Sequence, residues 1–274
     1  MYEMDATSSE SRVRPVRYLT AAWAVARKDM RIYYLRPGNL MFGVLFPVFL
    51  FFSFAVGRDL PVEVLIPGLT AMAMFFGSSS TGAMAIPTER KTKTYERLLV
   101  APISPISILL GQTLGGFIFG ALFASVPIAL GIAWFGMSVA SSPVLVLAIA
   151  LSSFTFSALG IMFAALPTEN PGDIMMLLNF VRLPLLFVSG IFVSLEDVGD
   201  IGLVLAAISP LTYSNDLLRW AVGGASYFGP AIDVLGVVLS AIIFLGLALL
   251  LHERARKSDR MAGKRRRAKE AASP

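Results

Sequence analysis

The sequence predicts an all-α membrane protein with six transmembrane helices. Three observations lead there. Of the 274 residues, 56% are hydrophobic, above the roughly 45–50% of an ordinary soluble chain. The apolar residues gather in separate runs of about 20, the length that crosses about 30 Å of hydrocarbon. The 23 lysines and arginines fall almost entirely outside those runs, and mostly in alternate connections.

Residues 1–15 begin "MYEMDATSSESR" and have the polar composition of a disordered segment. No uninterrupted apolar core of a cleavable signal is expected before the first run. Residues 16–36 are different. Leu19, Trp23, Ala26, Met30, Tyr33 and Tyr34 recur near helical spacing, with Arg17, Arg27, Lys28 and Arg31 between them. That is too many charges for a span, so the segment is expected to lie in the membrane interface as an amphipathic helix, with Trp23 at headgroup depth. Pro37-Gly38 breaks it.

The six-span domain covers 37–251, with spans expected over 39–57, 64–87, 107–132, 143–166, 174–193 and 229–251. Seven basic residues precede the first span, Arg90, Lys91, Lys93 and Arg97 lie between the second and third, and nine follow the sixth. The alternate connections hold only Arg58 and Arg219. The positive-inside rule then places both termini and residues 88–106 in the cytoplasm, in a plasma or inner membrane. Between the fifth and sixth spans, "IGLVLAAI" is apolar but too short to cross, and "LTYSNDLLRWAV" follows it as an amphipathic segment. This predicts an outer re-entrant or interfacial helical hairpin, marked by Pro210, Asp216 and Arg219. The basic tail 252–274, with "KRRRAK", suits anionic lipid better than nucleic acid directly after a span.

Residues 88–104, "TERKTKTYERLLVAPIS", are longer than a minimal turn. Tyr95, Leu98 and Leu99 stand at i, i+3 and i+4, and Pro102 ends the segment, so a short amphipathic helix is expected at the cytoplasmic surface. It faces either lipid headgroups or a protein groove.

The pattern from Glu89 through Ser104, set between the second and third of six spans, resembles the permease subunits of ABC-2 type exporters. "FVSGIF" at 187–192 and "SPLTYSNDLLR" at 209–219 are similar to further signatures of that family. The likeness covers essentially residues 16–251, with Val193-Ser194 where the family usually carries proline. It implies that Glu89, Arg90, Thr94, Tyr95, Glu96, Leu98 and Leu99 belong to a coupling helix seated in a separate ATP-binding ABC subunit. It also implies a second permease copy, forming a homodimer or half of a heterodimer, with the export path between the halves. ATP and Mg would be held by the partner and no cofactor by this chain.

The remaining chemistry is sparse. No G-x-x-x-x-G-K-[ST] occurs, so this sequence has no P-loop for ATP phosphates. Cysteine is absent and His252 is the single histidine, which excludes thiol chemistry and makes no credible metal site; His252 is expected to be interfacial. Glu196, Asp197 and Asp200 read as solvated, and Asp233 as lying at the outer end of the sixth span. No carboxylate is expected at mid-membrane, which weighs against an ion-coupled carrier. No catalytic set stands out, which weighs against a non-transporting membrane enzyme. Arg182 lies inside the fifth span, where it either snorkels to the headgroups or charges a cavity near Asn179. Phe46 and Phe49 are candidates for the same substrate cavity. Gly111, Gly115, Gly116 and Gly120 form overlapping G-x-x-x-G patterns, expected to serve packing within the chain before contact with a second copy. The expected function is the permease subunit of an ATP-driven exporter of a hydrophobic or amphiphilic substrate, not itself an enzyme.

Overall fold

The computed structural model describes residues 14–31, 45, 48–49, 52–53, 60–93, 105–168 and 170–272, with the side chains of the last helix described as far as Arg254. Among these residues the regular structure is helical throughout. In chain order the helices are α1 (Arg14–Asp29), α2 (Val62–Lys91), α3 (Pro105–Phe135), α4 (Ser142–Ala164), α5 (Pro171–Val188), α6 (Asp200–Ile208), α7 (Pro210–Ala221) and α8 (Pro230–Ala272).

Five of them, α2, α3, α4, α5 and the Pro230–Arg254 part of α8, are long and apolar enough to cross a membrane. They coincide with the second to sixth expected spans. The first, 39–57, lies outside the described residues apart from a few positions. The sixth helical run does not stop at the membrane boundary: α8 continues through the basic tail to Ala272.

Helix α2 is the centre. Every residue from Ile66 to Ala83 is buried, so it carries no polar face, and its neighbours α3, α4, α5 and α7 surround it. In hydrocarbon, moving an apolar side chain from lipid to protein gains little, and close packing decides the association. The sequence supplies that packing through small residues. A Cβ on Gly82 would sit 2.8 Å from the Ser157 carbonyl oxygen of α4, and one on Gly116 of α3 would sit 2.9 Å from the Ser78 carbonyl oxygen. A Cβ on Gly160 would run into the backbone of Ser79 and come within 3.0 Å of the Ala83 nitrogen. Polar ties reinforce the seam: Ser157 Oγ donates to the Thr113 carbonyl of α3 at 2.8 Å, and Thr155 Oγ1 to the Val237 carbonyl of α8 at 3.2 Å. Of the G-x-x-x-G glycines, Gly111, Gly116 and Gly120 pack inside the chain, as expected.

Helix α1 docks on α3. Ala22, Val25, Ala26 and Asp29, spaced i, i+3, i+4, i+7, form its buried face. Gly111 permits the crossing, since a Cβ there would meet the Ala22 carbonyl oxygen at 2.5 Å. Of the expected strip, Ala26 lies on this buried face. Trp23, read as part of the apolar strip, is on the other side and 51% exposed.

Candidate functional site

Three places along the bundle bring functional side chains together. At the α1 end lie the end of α2, the beginnings of α3 and α5, and the end of α4. Glu89, near the last turn of α2, is buried and accepts a hydrogen bond from Lys28 of α1. Lys28 also lies 3.1 Å from Asp29, whose carboxylate is fully buried. Burial pushes the Asp29 carboxyl up to about 7, with Lys28 opposing and Glu89 adding to the shift. One residue on, Arg90 donates to the carbonyl oxygens of Leu166 and Thr168, in the α4–α5 connection. The junction thus ties α1, α2 and the α4–α5 turn.

This corrects the expected start of the coupling helix. Glu89 and Arg90 belong to the spanning helix α2, which continues to Lys91, and Glu89 is turned inward to Lys28. The reason is geometric: a buried carboxylate must find a cation, and α1 presents one. The stretch carrying Thr94, Tyr95, Glu96, Leu98 and Leu99 lies outside the described residues. His252, expected at the interface, is buried at the same end of α8.

The second place is mid-bundle. Arg182 of α5 is fully buried. Its guanidinium donates to Ser79 Oγ at 2.7 Å, Ser80 Oγ at 3.1 Å and Asn179 Oδ1 at 3.2 Å, and stands 5.2 Å from the centre of the Phe76 ring. The snorkelling alternative is thereby set aside: the charge points into the protein, toward the middle of α2. Its Nε has no partner. The "GSSST" run of α2 is what receives it, since two adjacent hydroxyls match the spread of the guanidinium fork. The expected proximity of Asn179 is observed. Phe49 is exposed, and Phe46 lies outside the described residues.

The third place is the opposite end. After α5 the chain turns at Gly190 (φ +74°) and enters α6, then bends by 88° into α7. Nine residues of α6 cannot cross a bilayer. Ile201, Val204 and Ile208 leave α6 largely exposed, whereas α7 is buried along Leu211, Ser214, Asp216, Leu217 and Leu218. Pro210 starts α7 at a position where no amide hydrogen is needed, and Gly223 (φ +89°) ends it. The hairpin expected from the sequence is present as two helices; its amphipathic half is the one wrapped by the bundle. Asp216 accepts hydrogen bonds from Ser226 Oγ at 3.0 Å and from the amides of Tyr227 and Phe228 at 2.9 Å, fixing the α7–α8 turn. Arg219 is half-buried with its Nε unpartnered. Glu196, Asp197 and Asp200 are exposed, as expected.

Sequence reasoning missed Asp29 and the pairing of Arg182 with the Ser79 and Ser80 hydroxyls. Asp29 was signalled by its place one turn beyond Ala22, Val25 and Ala26. Along the chain "GSSST" reads as a run that lines a polar surface or packs tightly, but its pairing with Arg182 is not legible there, because α5 and α2 meet only in the fold.

A bundle of apolar helices joined by small-residue seams, with a helix lying across one end and a broken helical hairpin at the other, defines a polytopic α-helical membrane protein. Residues 20–222 match the ABC-2 type transporter family, and the chain belongs to that family. It is similar to the inner membrane transport permease YadH of Escherichia coli K12, at 24% identity over 183 residues, which is 66% of this chain and 70% of the relative. The permeases of the same name in E. coli O157:H7 and Shigella flexneri show the same figures. The chain is a transporter membrane subunit, and membership of the family implies an ATP-binding ABC partner.

Proposed function

We propose that this chain is the permease of an ATP-driven exporter that moves a hydrophobic or amphiphilic substrate out of the cytoplasm or the inner leaflet by alternating access. The α1 end faces the cytoplasm, and both termini lie there. Residues 94–99 form the coupling surface, with Leu98 and Leu99 filling an apolar groove on a separate ATPase subunit. Two copies of the chain enclose the path.

The observation that carries this reading is the junction at Glu89 and Arg90. Movement delivered to the segment that follows Lys93 reaches α1 through Lys28 and the α4–α5 turn through Arg90 in one step. Family membership over residues 20–222 and the lack of a P-loop in the sequence support it. The apolar spans favour an amphiphile over a sugar polymer.

The test is the double substitution Leu98→Asp and Leu99→Asp in cells co-expressing the cognate ATPase. A charge buried without a partner at the contact costs several kcal/mol, of the order of 2–7 for a polar group alone. Co-purification of the ATPase, substrate-stimulated ATP hydrolysis and transport should all fall, while membrane insertion is unchanged. A double variant that retains its partner and its transport rate would leave the stretch as a headgroup-binding helix and overturn the coupling role.

A further inference from the structure

Helix α1 divides its charges between two sides. Asp29, its only acid, is fully buried, and Lys28 turns inward to Glu89. The side away from the bundle carries Thr20, Trp23, Ala24 and Arg27, at i, i+3, i+4 and i+7, and Arg31 continues it one turn further on. All five are exposed. Arg27 and Arg31 form no ion pair among the described residues, and no acid of α1 shares their side.

Two contacts fix the level at which this side sits. Helices α2 and α3 have 30 and 31 residues, about 45 Å each at 1.5 Å per residue. Roughly 15 Å of each therefore lies outside about 30 Å of hydrocarbon. Helix α1 meets α3 at Gly111, in the second turn of α3, and α2 at Glu89, in the last turn of α2. Both contacts fall about 3–9 Å from a helix end, where hydrocarbon gives way to headgroups. Among the described helices α1 packs on α3, at the edge of the bundle, so its far side meets whatever surrounds the bundle. At the same level α3 leaves Ile106 and Leu110 exposed, an apolar surface suited to acyl chains and not to water.

We propose that Trp23, Arg27 and Arg31 form a binding surface for anionic phospholipid in the leaflet at the α1 end. An indole at this depth keeps its ring among acyl chains and its N–H at the headgroups. Arginines one turn apart are neighbours on a helix surface, and each guanidinium is a planar fork that matches two phosphate oxygens. Phosphate is common to all phospholipids. Two cations without a protein counter-ion favour those lipids whose headgroup carries no cation of its own. An acidic protein surface would satisfy the arginines but not the indole, nor the apolar Ile106 and Leu110 at the same level. Since Arg27 and Lys28 are adjacent, lipid held outside and Glu89 held inside load a single turn of α1 from both sides.

The inference is independent of the exporter reading and is tested on the purified full chain in nanodiscs. With W134F and W220F in the background, Trp23 is the single tryptophan. Its fluorescence would be recorded in phosphatidylcholine discs doped with acyl-brominated phosphatidylglycerol or, separately, with the same fraction of acyl-brominated phosphatidylcholine. The brominated phosphatidylglycerol should quench Trp23 more strongly, because it gathers at the arginines. R27Q/R31Q should lose that preference, at about fivefold for each arginine, and R27K/R31K, which keeps the charge without the fork, should retain part of it. High salt should erase the preference in the parent, which repeats the test without altering α1. Equal quenching by the two lipids, a preference that survives R27Q/R31Q or high salt, or a Trp23 that neither lipid quenches would each overturn the proposal. Equal quenching together with loss of an ATP-binding subunit from the R27Q/R31Q chain would assign the face to protein instead.

Discussion

At the scale of single residues, Lys28, Glu89 and Arg182 are each held by a particular partner. Arg182 illustrates the cost. An arginine at the centre of a spanning helix costs about 2.5–3.5 kcal/mol on insertion scales. Three hydrogen bonds and an aromatic face offset it. Lysine keeps the charge but is a single point donor and cannot bridge Ser79, Ser80 and Asn179 together. R182K should therefore lower unfolding stability in mixed micelles by about 1.5–3 kcal/mol, the range for hydrogen bonds to charged groups. An unchanged unfolding curve would mean that the fork geometry carries no stability.

Asp29 behaves differently because its carboxyl holds its proton up to about 7 instead of the ordinary 3.8. The folded state then binds the proton more tightly than the unfolded state. Its contribution to stability is greatest below the unfolded value and declines as pH rises toward about 7. Amide hydrogen exchange in α1, corrected for the intrinsic rate, should show protection falling over that interval. D29N should flatten the dependence; a slope preserved in D29N would assign it to another group.

At the scale of the elements, the seam between α2 and α4 depends on having no side chain at Gly160. G160A must push Ser79 and Ala83 aside or separate the helices, and overpacking of this kind costs about 1–3 kcal/mol. Thermal unfolding in detergent is the measurement, and a variant as stable as the parent would show that the seam yields freely. The elements also show what could be read from the chain alone. The runs at 64–87, 107–132, 143–166, 174–193 and 229–251 all appear as helices, because apolar length is a property of the local sequence. The break at Ser209-Pro210 was legible for the same reason. The inner face of α1 was only partly legible, because Ala22 and Val25, which pack against Gly111, stand outside the strip of Leu19, Trp23, Ala26 and Met30 read along the chain. The true end of α2 was not legible, since charged Glu89 and Arg90 look like the start of a separate surface helix until Lys28 and the Leu166 carbonyl supply their partners. The burial of α7 was hidden too: Ser214 bonds the Pro210 carbonyl and Asp216 the α7–α8 turn instead of meeting water.

At the scale of the whole molecule, the two ends are chemically distinct. One carries α1 and the basic extension of α8, the other the α6–α7 hairpin. The proposed orientation, with the first end in the cytoplasm, rests on the charge distribution. Because the chain has no cysteine, single cysteines at Ser8, Ala225 and Ser258 test this directly. Position 225, exposed beside the α7–α8 turn, should react with an impermeant thiol reagent added outside intact cells. Positions 8 and 258 should react only after permeabilisation. The opposite pattern would invert the molecule and place the coupling stretch on the wrong side for an ATPase.

Helix α2 joins those two ends over about 45 Å, at 1.5 Å per residue for its 30 residues. Its prolines, Pro67 and Pro87, stand near its two extremities, and each removes a backbone hydrogen bond where it occurs. Stiffness is therefore unevenly distributed along the helix. The middle, clamped on every side and keyed by Arg182, behaves as a rigid strut, and compliance is concentrated in the outer turns. A twist applied at Glu89 is absorbed or passed on at Pro87 before it reaches the strut, and one arising at the hairpin meets Pro67 first. The protein thus has two joints in series about a fixed centre, so that either mouth can change shape while the serine–arginine lock stays closed.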